Sequence, residues 1–339
     1  MFYNPTIEEK FAKDIASVLT NGNLETISTY NDLRKSNSKN KIDLKETVHI
    51  CVASNKGGVG KTLTSFQLAW FLNVLGYKVL LADLDAQANI TCSILEDQDK
   101  VQADVGLYEV LCEQASIKDI IAPLAEEFDV LGGKDTLSEI DYFLRNKEIE
   151  NAEEYIDDED SSENIYHELY QLFKTIGKDY DFVIYDTNPE TNKVNRLSLQ
   201  VADLTIVPMQ AKESSAKGYN VTAKEMAASY ININRDLDDL SERVKIILNL
   251  VTAIPEEVKD KKVKAVYKMF KENIFENYID TSYALGEASD MGLPCFLHPE
   301  ISLEAIKGFM TFTNEVLNVL SELNGTKEVN KNQRRYAFA

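Results

Sequence analysis

The sequence predicts an α/β fold: a mostly parallel, twisted sheet with helices on both faces, preceded by a short helical arm. Three observations carry this. Near-continuous apolar runs rich in β-branched residues recur as VHICVAS, KVLLADLD, YDFVIYD, DLTIVPM and VKIILNLV, the pattern of strands buried on both faces. Stretches of helical length separate them, long enough for crossovers between parallel neighbours. A glycine-rich turn, SNKGGVGKTLTS at 54–65, falls between the first run and the first such stretch.

Taken in order, residues 1–46 read as a helical arm and linker. Thr6 and Glu9 have the spacing of a capping box, and Ile7, Phe11, Ile15 and Val18 recur at helical spacing. Asn21-Gly22-Asn23 stops that helix, and RKSNSKNK at 34–41 reads as a polar linker. The arm either docks on its own domain or packs on a second subunit. VHICVAS opens the main domain, expected over 47–325. After the glycine turn, TLTSFQLAWFLNVL reads as a helix closed by Gly76 in the left-handed conformation. KVLLADLD, FDVLGG, YDFVIYD, DLTIVPM and VKIILNLV follow as strands. Helices are expected at 105–122, 163–176, 192–202 and 214–235, with a last one near 302–323. No internal repeat is visible.

Composition narrows the function classes. The 339 residues suffice for one large α/β domain or two small ones with a buried core, and the 44% hydrophobic content is ordinary. No apolar run is long enough to span a bilayer, and the first residues lack the basic and apolar regions of a signal peptide. A cytoplasmic protein is expected. The four cysteines, Cys51, Cys92, Cys112 and Cys295, show no C-x-x-C spacing, and three histidines are available. Free thiols in a reducing compartment fit better than zinc. The net charge of −20 argues against a uniformly basic nucleic-acid binder. Much of it sits in an acidic insertion at 139–164, which holds eleven acids and two bases.

The turn at 54–62 carries the chemistry. A loop that ends a strand and opens a helix aims backbone N–H groups and the helix dipole at one point. Gly57, Gly58 and Gly60 let phosphate oxygens approach the backbone. Lys61 can reach β- and γ-phosphates, and Thr62 offers a hydroxyl to Mg²⁺. Lys-Thr after the last glycine favours a nucleoside triphosphate. The usual G-x-x-x-x-G-K-[ST] pattern has Asn55 where its first glycine stands, with Lys56 beside it. Lys56 is either a solvated loop lysine or a cation that reaches the γ-phosphate of a facing subunit.

KGGVGKT resembles the deviant Walker A motif of the ParA/MinD family of P-loop ATPases, closest to ParA-type DNA partition ATPases. The likeness extends over roughly 47–323 and includes GLYEVLC, FDVLGGKDTLSEID and SYALGEASDMGLP. It implies an ATP and Mg²⁺ site formed by Lys56, Gly57, Gly58, Val59, Gly60, Lys61, Thr62 and Leu63. Lys56 takes the place of the signature lysine, which contacts phosphate across an ATP-sandwich homodimer. DLDAQANIT (83–91) is similar to the family's Asp-x-Asp-Pro-Gln-Gly-Asn switch I, with Ala86 and Ala88 replacing proline and glycine. The resemblance assigns Asp85 to the attacking water and Asp83 to support of the metal. YDFVIYDTNP ends in Asp186, the expected Walker B ligand of Mg²⁺ through water. Asn188 replaces the family's first proline there and is expected to loosen switch II. Asn249 stands where MinD-like members read adenine.

The resemblance also implies ATP-driven dimerisation, nonspecific DNA binding, and a ParB-like centromere-binding partner that stimulates hydrolysis on the nucleoid. Lys261, Lys264, Lys268 and Lys271 recur at i, i+3, i+7 and i+10 and form one helical stripe. Val263, Val266, Tyr267 and Phe270 form its buried side. The tail at 326–339 is a second basic patch. Against DNA stands Ile279-Asp280, where many ParA-like chains carry isoleucine-arginine. The alternatives are a MinD-like membrane-positioning ATPase, for which the tail YAFA is too short, an ATPase that positions a protein cargo, and a weakly hydrolysing adaptor. The arm is too short for a winged-helix operator reader. Partner and cargo are not written in the sequence.

Overall fold

The structure, a computed structural model, describes residues 30–32, 34–35, 37–38, 41, 44–95, 105–112, 114–140, 142–143, 146, 170–190, 192–211, 213–232, 237–249, 256–280 and 282–333. The expected arm helix at 7–18 and nearly all of the acidic insertion beyond residue 143 lie outside the described residues, as do 334–339.

The strands are β1 (Val48–Val52), β2 (Val79–Leu84), β3 (Ile121–Ala125), β4 (Phe128–Leu131), β5 (Phe182–Thr187), β6 (Leu204–Met209), β7 (Val244–Asn249) and β8 (Ile274–Ile279). They form one sheet in the order β3-β4-β2-β5-β1-β6-β7-β8. Every pair is parallel except β3 with β4. From β1 the chain first crosses to the β2 side and later to the β6 side, so a crevice opens beyond the carboxyl end of β1. Side chains alternate between two cores. Ile50, Val52, Leu81 and Ile184 point to one, and Cys51, Leu80, Val183 and Tyr185 to the other. Burial of both faces is why these strands read as continuous apolar runs.

The labelled helices are α1 (Lys61–Val74), α2 (Asn89–Leu95), α3 (Leu107–Leu111), α4 (Lys193–Val201), α5 (Glu213–Asn232), α6 (Asp238–Arg243), α7 (Glu256–Phe270), α8 (Tyr283–Asp290) and α9 (Leu303–Gln333). Residues 170–175 are also helical. α1 is buried on every side, because it lies between the sheet and α9. Phe71 stacks on Phe309 with ring centres 5.7 Å apart and meets Phe296 edge-on at 5.2 Å. Gln67 and Asn73 within α1 are hydrogen-bonded, as burial demands, whereas Trp70 Nε1 has no partner among the described residues. Gln67 donates to Ser289 Oγ and the Leu293 carbonyl and accepts from the Cys295 N–H.

Three expectations are corrected. The helix expected at 105–122 is instead α3, a 3-10 turn at Ile117–Ile120 capped by Ser116, and the edge strand β3. Pro123 is tolerated there because an edge strand need not donate on both sides. The segment read as a polar linker is docked: Arg34 is buried and pairs with Glu127, with Glu126 at 4.0 Å. Tyr30 donates to Asn73 Oδ1, and Asn37 donates to the Val74 carbonyl. The last helix continues to Gln333, so the first residues assigned to the tail are helical.

Gly76 closes α1 as expected, at φ +96°. Its N–H bonds to the Asn73 carbonyl and that of Tyr77 to the Leu72 carbonyl, the Schellman arrangement. A Cβ there would also run into the backbone of Ser38. Gly76→Ala is therefore expected to destabilise the fold by about 1–3 kcal/mol, read as a lower urea midpoint at unchanged slope. An unchanged midpoint would show that Ser38 is not held against this turn.

Candidate functional site

Residues 53–60 join β1 to α1, and the loop is pinned from three neighbours. Ala53 N–H bonds to the Ile206 carbonyl on β6 at 3.0 Å. Gln210, just past β6, donates to the Gly58 carbonyl at 3.1 Å. Asn249, at the end of β7, is fully buried and donates to the Val59 carbonyl at 3.2 Å and to Thr64 Oγ1 at 3.2 Å. Thr222 on α5 exchanges two hydrogen bonds with Asn55. Gly60 sits at φ +86°, and a Cβ there would meet the Asn249 amide. Glycine is required at Gly60 by both its conformation and its neighbour. Gly57 and Gly58 are exposed, Val59 and Leu63 are buried, and Lys56 is half-buried on the rim.

The acidic groups come from adjacent strands. β5 lies between β1 and β2, so Asp186 has Val52 on one side and Asp83 on the other. Both carboxylates are almost fully buried, as is Lys61 at the start of α1. Burial first, and then the charge of Asp83, hold the Asp186 carboxyl well above the ordinary carboxylate range. Bonds from the Thr62 and Ser65 hydroxyls and the charge of Lys61 pull it back. Burial likewise raises Asp83 to about 6, against the pull of bonds from Thr91 and from the Asp85 N–H. Lys61 is shifted down by burial and held up by Asp186 and Asp85.

This donor set fits a divalent cation. Asp186 Oδ1 is buried with no hydrogen-bond partner, an arrangement costly for a carboxylate alone. Thr62 lies beside it. Asp83 is committed elsewhere: one oxygen accepts Thr91 N–H and Oγ1, and the other accepts Asp85 N–H at 3.3 Å. It braces the turn after β2, with Asp186 beside it on the neighbouring strand. Thr91 Oγ1 in turn accepts the Gly133 N–H at 2.7 Å.

The sign of the pH effect follows. A carboxyl held above its ordinary value keeps its proton longer in the folded state. Its contribution to stability therefore falls as pH rises through the ordinary range towards the raised value. A cation at Asp186 reverses that loss and must compete with the proton. The thermal shift produced by Mg²⁺ should thus be larger near pH ~8 than near pH ~6. Equal shifts in differential scanning fluorimetry would contradict a cation at Asp186.

Residues 47–238, more than half of the chain, match the model of a family described as AAA domain. The chain belongs to this family. It is similar to the sporulation initiation inhibitor protein Soj of Bacillus subtilis, with 26% identity over 258 residues, 74% of this chain and 90% of that one. It is also similar to the chromosome partitioning protein ParA of Myxococcus xanthus, with 23% identity over 268 residues, 79% of this chain and 87% of that one. A plasmid partition protein of Borrelia burgdorferi, solved with AMPPNP, shares the fold with a TM-score of 0.59 and 22% identity, covering 81% of this chain and 99% of that one. The chain is thus of the ParA/Soj type of P-loop ATPase, as its motifs indicate.

Several family positions behave differently from expectation. Asn188 does not loosen the switch II loop. Its Oδ1 accepts from the Glu190 N–H at 3.0 Å and from Asn195 Nδ2 at 2.7 Å, tying 188–195 into a knot. Asn249, expected at the adenine, is buried and braces the phosphate loop through its amide. Gln210, Thr222 and Ser65 also serve the site and carry no motif that marks them in the sequence. The run TNPETNKVN, with three asparagines, is the one local signal for the knot.

Lys261, Lys264 and Lys268 are exposed on α7, and Lys271 is exposed just beyond it. Val263, Val266, Tyr267 and Phe270 pack on the core beneath. Ile279 is buried and Asp280 half-buried. Among the described residues no helix is long and apolar enough to cross a membrane.

Proposed function

We propose that this chain is a Mg²⁺-dependent ATPase that pairs around ATP, binds DNA without sequence preference and releases it on hydrolysis, moving plasmid or chromosomal DNA. The observation that supports it most is the buried, orphaned Asp186 oxygen beside Thr62 and Lys61, under a glycine loop that opens a helix. Lys61 neutralises the terminal phosphates, and the loop N–H groups orient them. Mg²⁺, when bound, supplies charge to the β- and γ-phosphate oxygens. Asp85 orients the attacking water. Lys56 extends to the nucleotide of the facing subunit, where it neutralises charge that develops in the transition state. A ParB-like centromere-binding partner stimulates the reaction. The relatives named for chromosome partitioning favour DNA as cargo.

The exposed lysines near α7 form the DNA surface, doubled by the two-fold axis of the dimer. Replacing Lys261, Lys264, Lys268 and Lys271 by alanine should weaken binding to random DNA in ATP by about tenfold or more. It should also make the dependence on salt shallower, by about one unit of slope for each phosphate that is no longer neutralised. A salt-titrated mobility shift reads both quantities, beside cosedimentation with anionic liposomes. Undiminished DNA binding by the quadruple variant removes this surface, and ATP-dependent liposome binding without DNA binding favours a membrane role.

A further inference from the structure

Three residues brace the phosphate loop, and they hold different parts of it. Gln210 and Asn249 hold the carbonyls of Gly58, Val59 and Gly60, the part that faces phosphate. Thr222 holds the other end. It is 1% exposed on α5. Its hydroxyl accepts the Asn55 N–H at 3.2 Å and donates to Asn55 Oδ1 at 3.0 Å. A hydroxyl has one proton and two lone pairs. By using both functions on a single residue, Thr222 fixes the peptide and the side chain of Asn55 together. Lys56 follows directly, its own N–H directed to Ser54 Oγ at 3.4 Å.

The same threonine lines a small cavity with Asn55, Asn188, Asn195 and Glu225. It therefore stands where the phosphate loop, the 188–195 knot and α5 meet. A lysine on a flexible four-carbon stem delivers its charge reliably only if its Cα is fixed.

We propose that Thr222 is a positioning residue: through Asn55 it sets the reach of Lys56 towards the nucleotide of the facing subunit. This rests on the trans role proposed for Lys56. Misplacement of a reacting charge by about 1 Å can cost 100-fold in rate, so loss of the clamp acts on turnover more than on ATP capture.

The test is a double-mutant cycle on the purified full-length chain, reading kcat and the affinity for a fluorescent ATP analogue. Thr222→Val keeps the volume and removes both hydrogen bonds. It should lower kcat by about tenfold while leaving affinity within about twofold. Thr222→Ser should restore the rate. In a Lys56→Ala background, Thr222→Val should add no further loss, because the two act through one group. Additive losses, or wild-type turnover by Thr222→Val while Lys56→Ala is slow, overturn the proposal alone. Wild-type turnover by Lys56→Ala overturns the trans-lysine reading and this proposal with it.

Discussion

Replacing Lys61 by alanine is expected to lower the affinity for ATP by about 100-fold or more, because removal of one partner of a buried charge pair costs about 2–5 kcal/mol. Lys61 is 7% exposed. Its charge is held up against burial by Asp186 and Asp85. Asp186 and Asp85 thus favour a charged Lys61 where these carboxylates would otherwise repel a polyphosphate. Without it, the charge that offsets Asp186 and Asp85 is gone. Removal of Lys61 also relieves part of the pull that lowers the Asp186 carboxyl, so that group holds its proton more strongly in the apo protein. Lys61→Met is the informative companion, since it keeps most of the buried stem and deletes only the charge. Both variants should melt within a few degrees of the parent while failing to bind a fluorescent ATP analogue. Undiminished binding by Lys61→Met would falsify the assignment of this loop as an ATP site.

The inner strands are legible in the sequence because the physics that builds them acts locally on composition. A strand covered on both faces must be apolar along most of its length, and β1, β2, β5, β6 and β7 are, with Asp83, Asp186 and Asn249 at or next to their carboxyl ends. The edges escape for the converse reason. β3 (IAPLA) carries a proline and two alanines, and β8 (IFENYI) breaks its apolar pattern at Glu276 and Asn277. Each has a strand neighbour on one side alone, so its apolar pattern can break without loss of the sheet. The docked segment near Arg34 reads as a linker because its charge looks solvated until Glu126 and Glu127 are brought beside it by the fold.

The site divides in the same way. The glycines, lysines and aspartates proposed to touch nucleotide are set at short spacing, and a motif records them. The braces are fixed by tertiary contact. Asn55 and Thr222 are 167 residues apart, and Asn249 and Val59 are 190 apart. Nothing local distinguishes Thr222 from any other helical threonine. Asn188 misleads because proline stiffens a loop through its ring, whereas asparagine stiffens this one through hydrogen bonds. A missing proline reads as lost rigidity, yet the knot with Asn195 supplies rigidity by another route.

Asp85 offers the sharpest separation of binding from chemistry. It lies at the carboxyl end of β2 and is half-buried. One of its oxygens accepts the Gln87 N–H at 2.9 Å, and its carbonyl accepts the Ala88 N–H at 2.9 Å. The carboxylate thus shapes the turn with Oδ1 while Oδ2 makes no hydrogen bond among the described residues, so one oxygen is available to a water. Asp85→Asn preserves the accepting oxygen, and with it the turn, but replaces the other oxygen by a donor that cannot orient or deprotonate water. Loss of such a group typically costs about 10²–10⁴ in rate. Turnover should fall by that factor with ATP affinity nearly unchanged. In the proposed cycle hydrolysis releases the pair, so the ATP-bound species should accumulate at twice the mass of the free chain in light scattering. Asp85→Ala should behave alike but melt lower, since it also loses the bond to Gln87. Either of two results defeats the assignment: Asp85→Asn turning over within about twofold of the parent, or a slow Asp85→Asn that remains single in saturating ATP. The first would remove Asp85 from the chemistry, and the second would break the link between nucleotide and pairing on which the role of Lys56 depends.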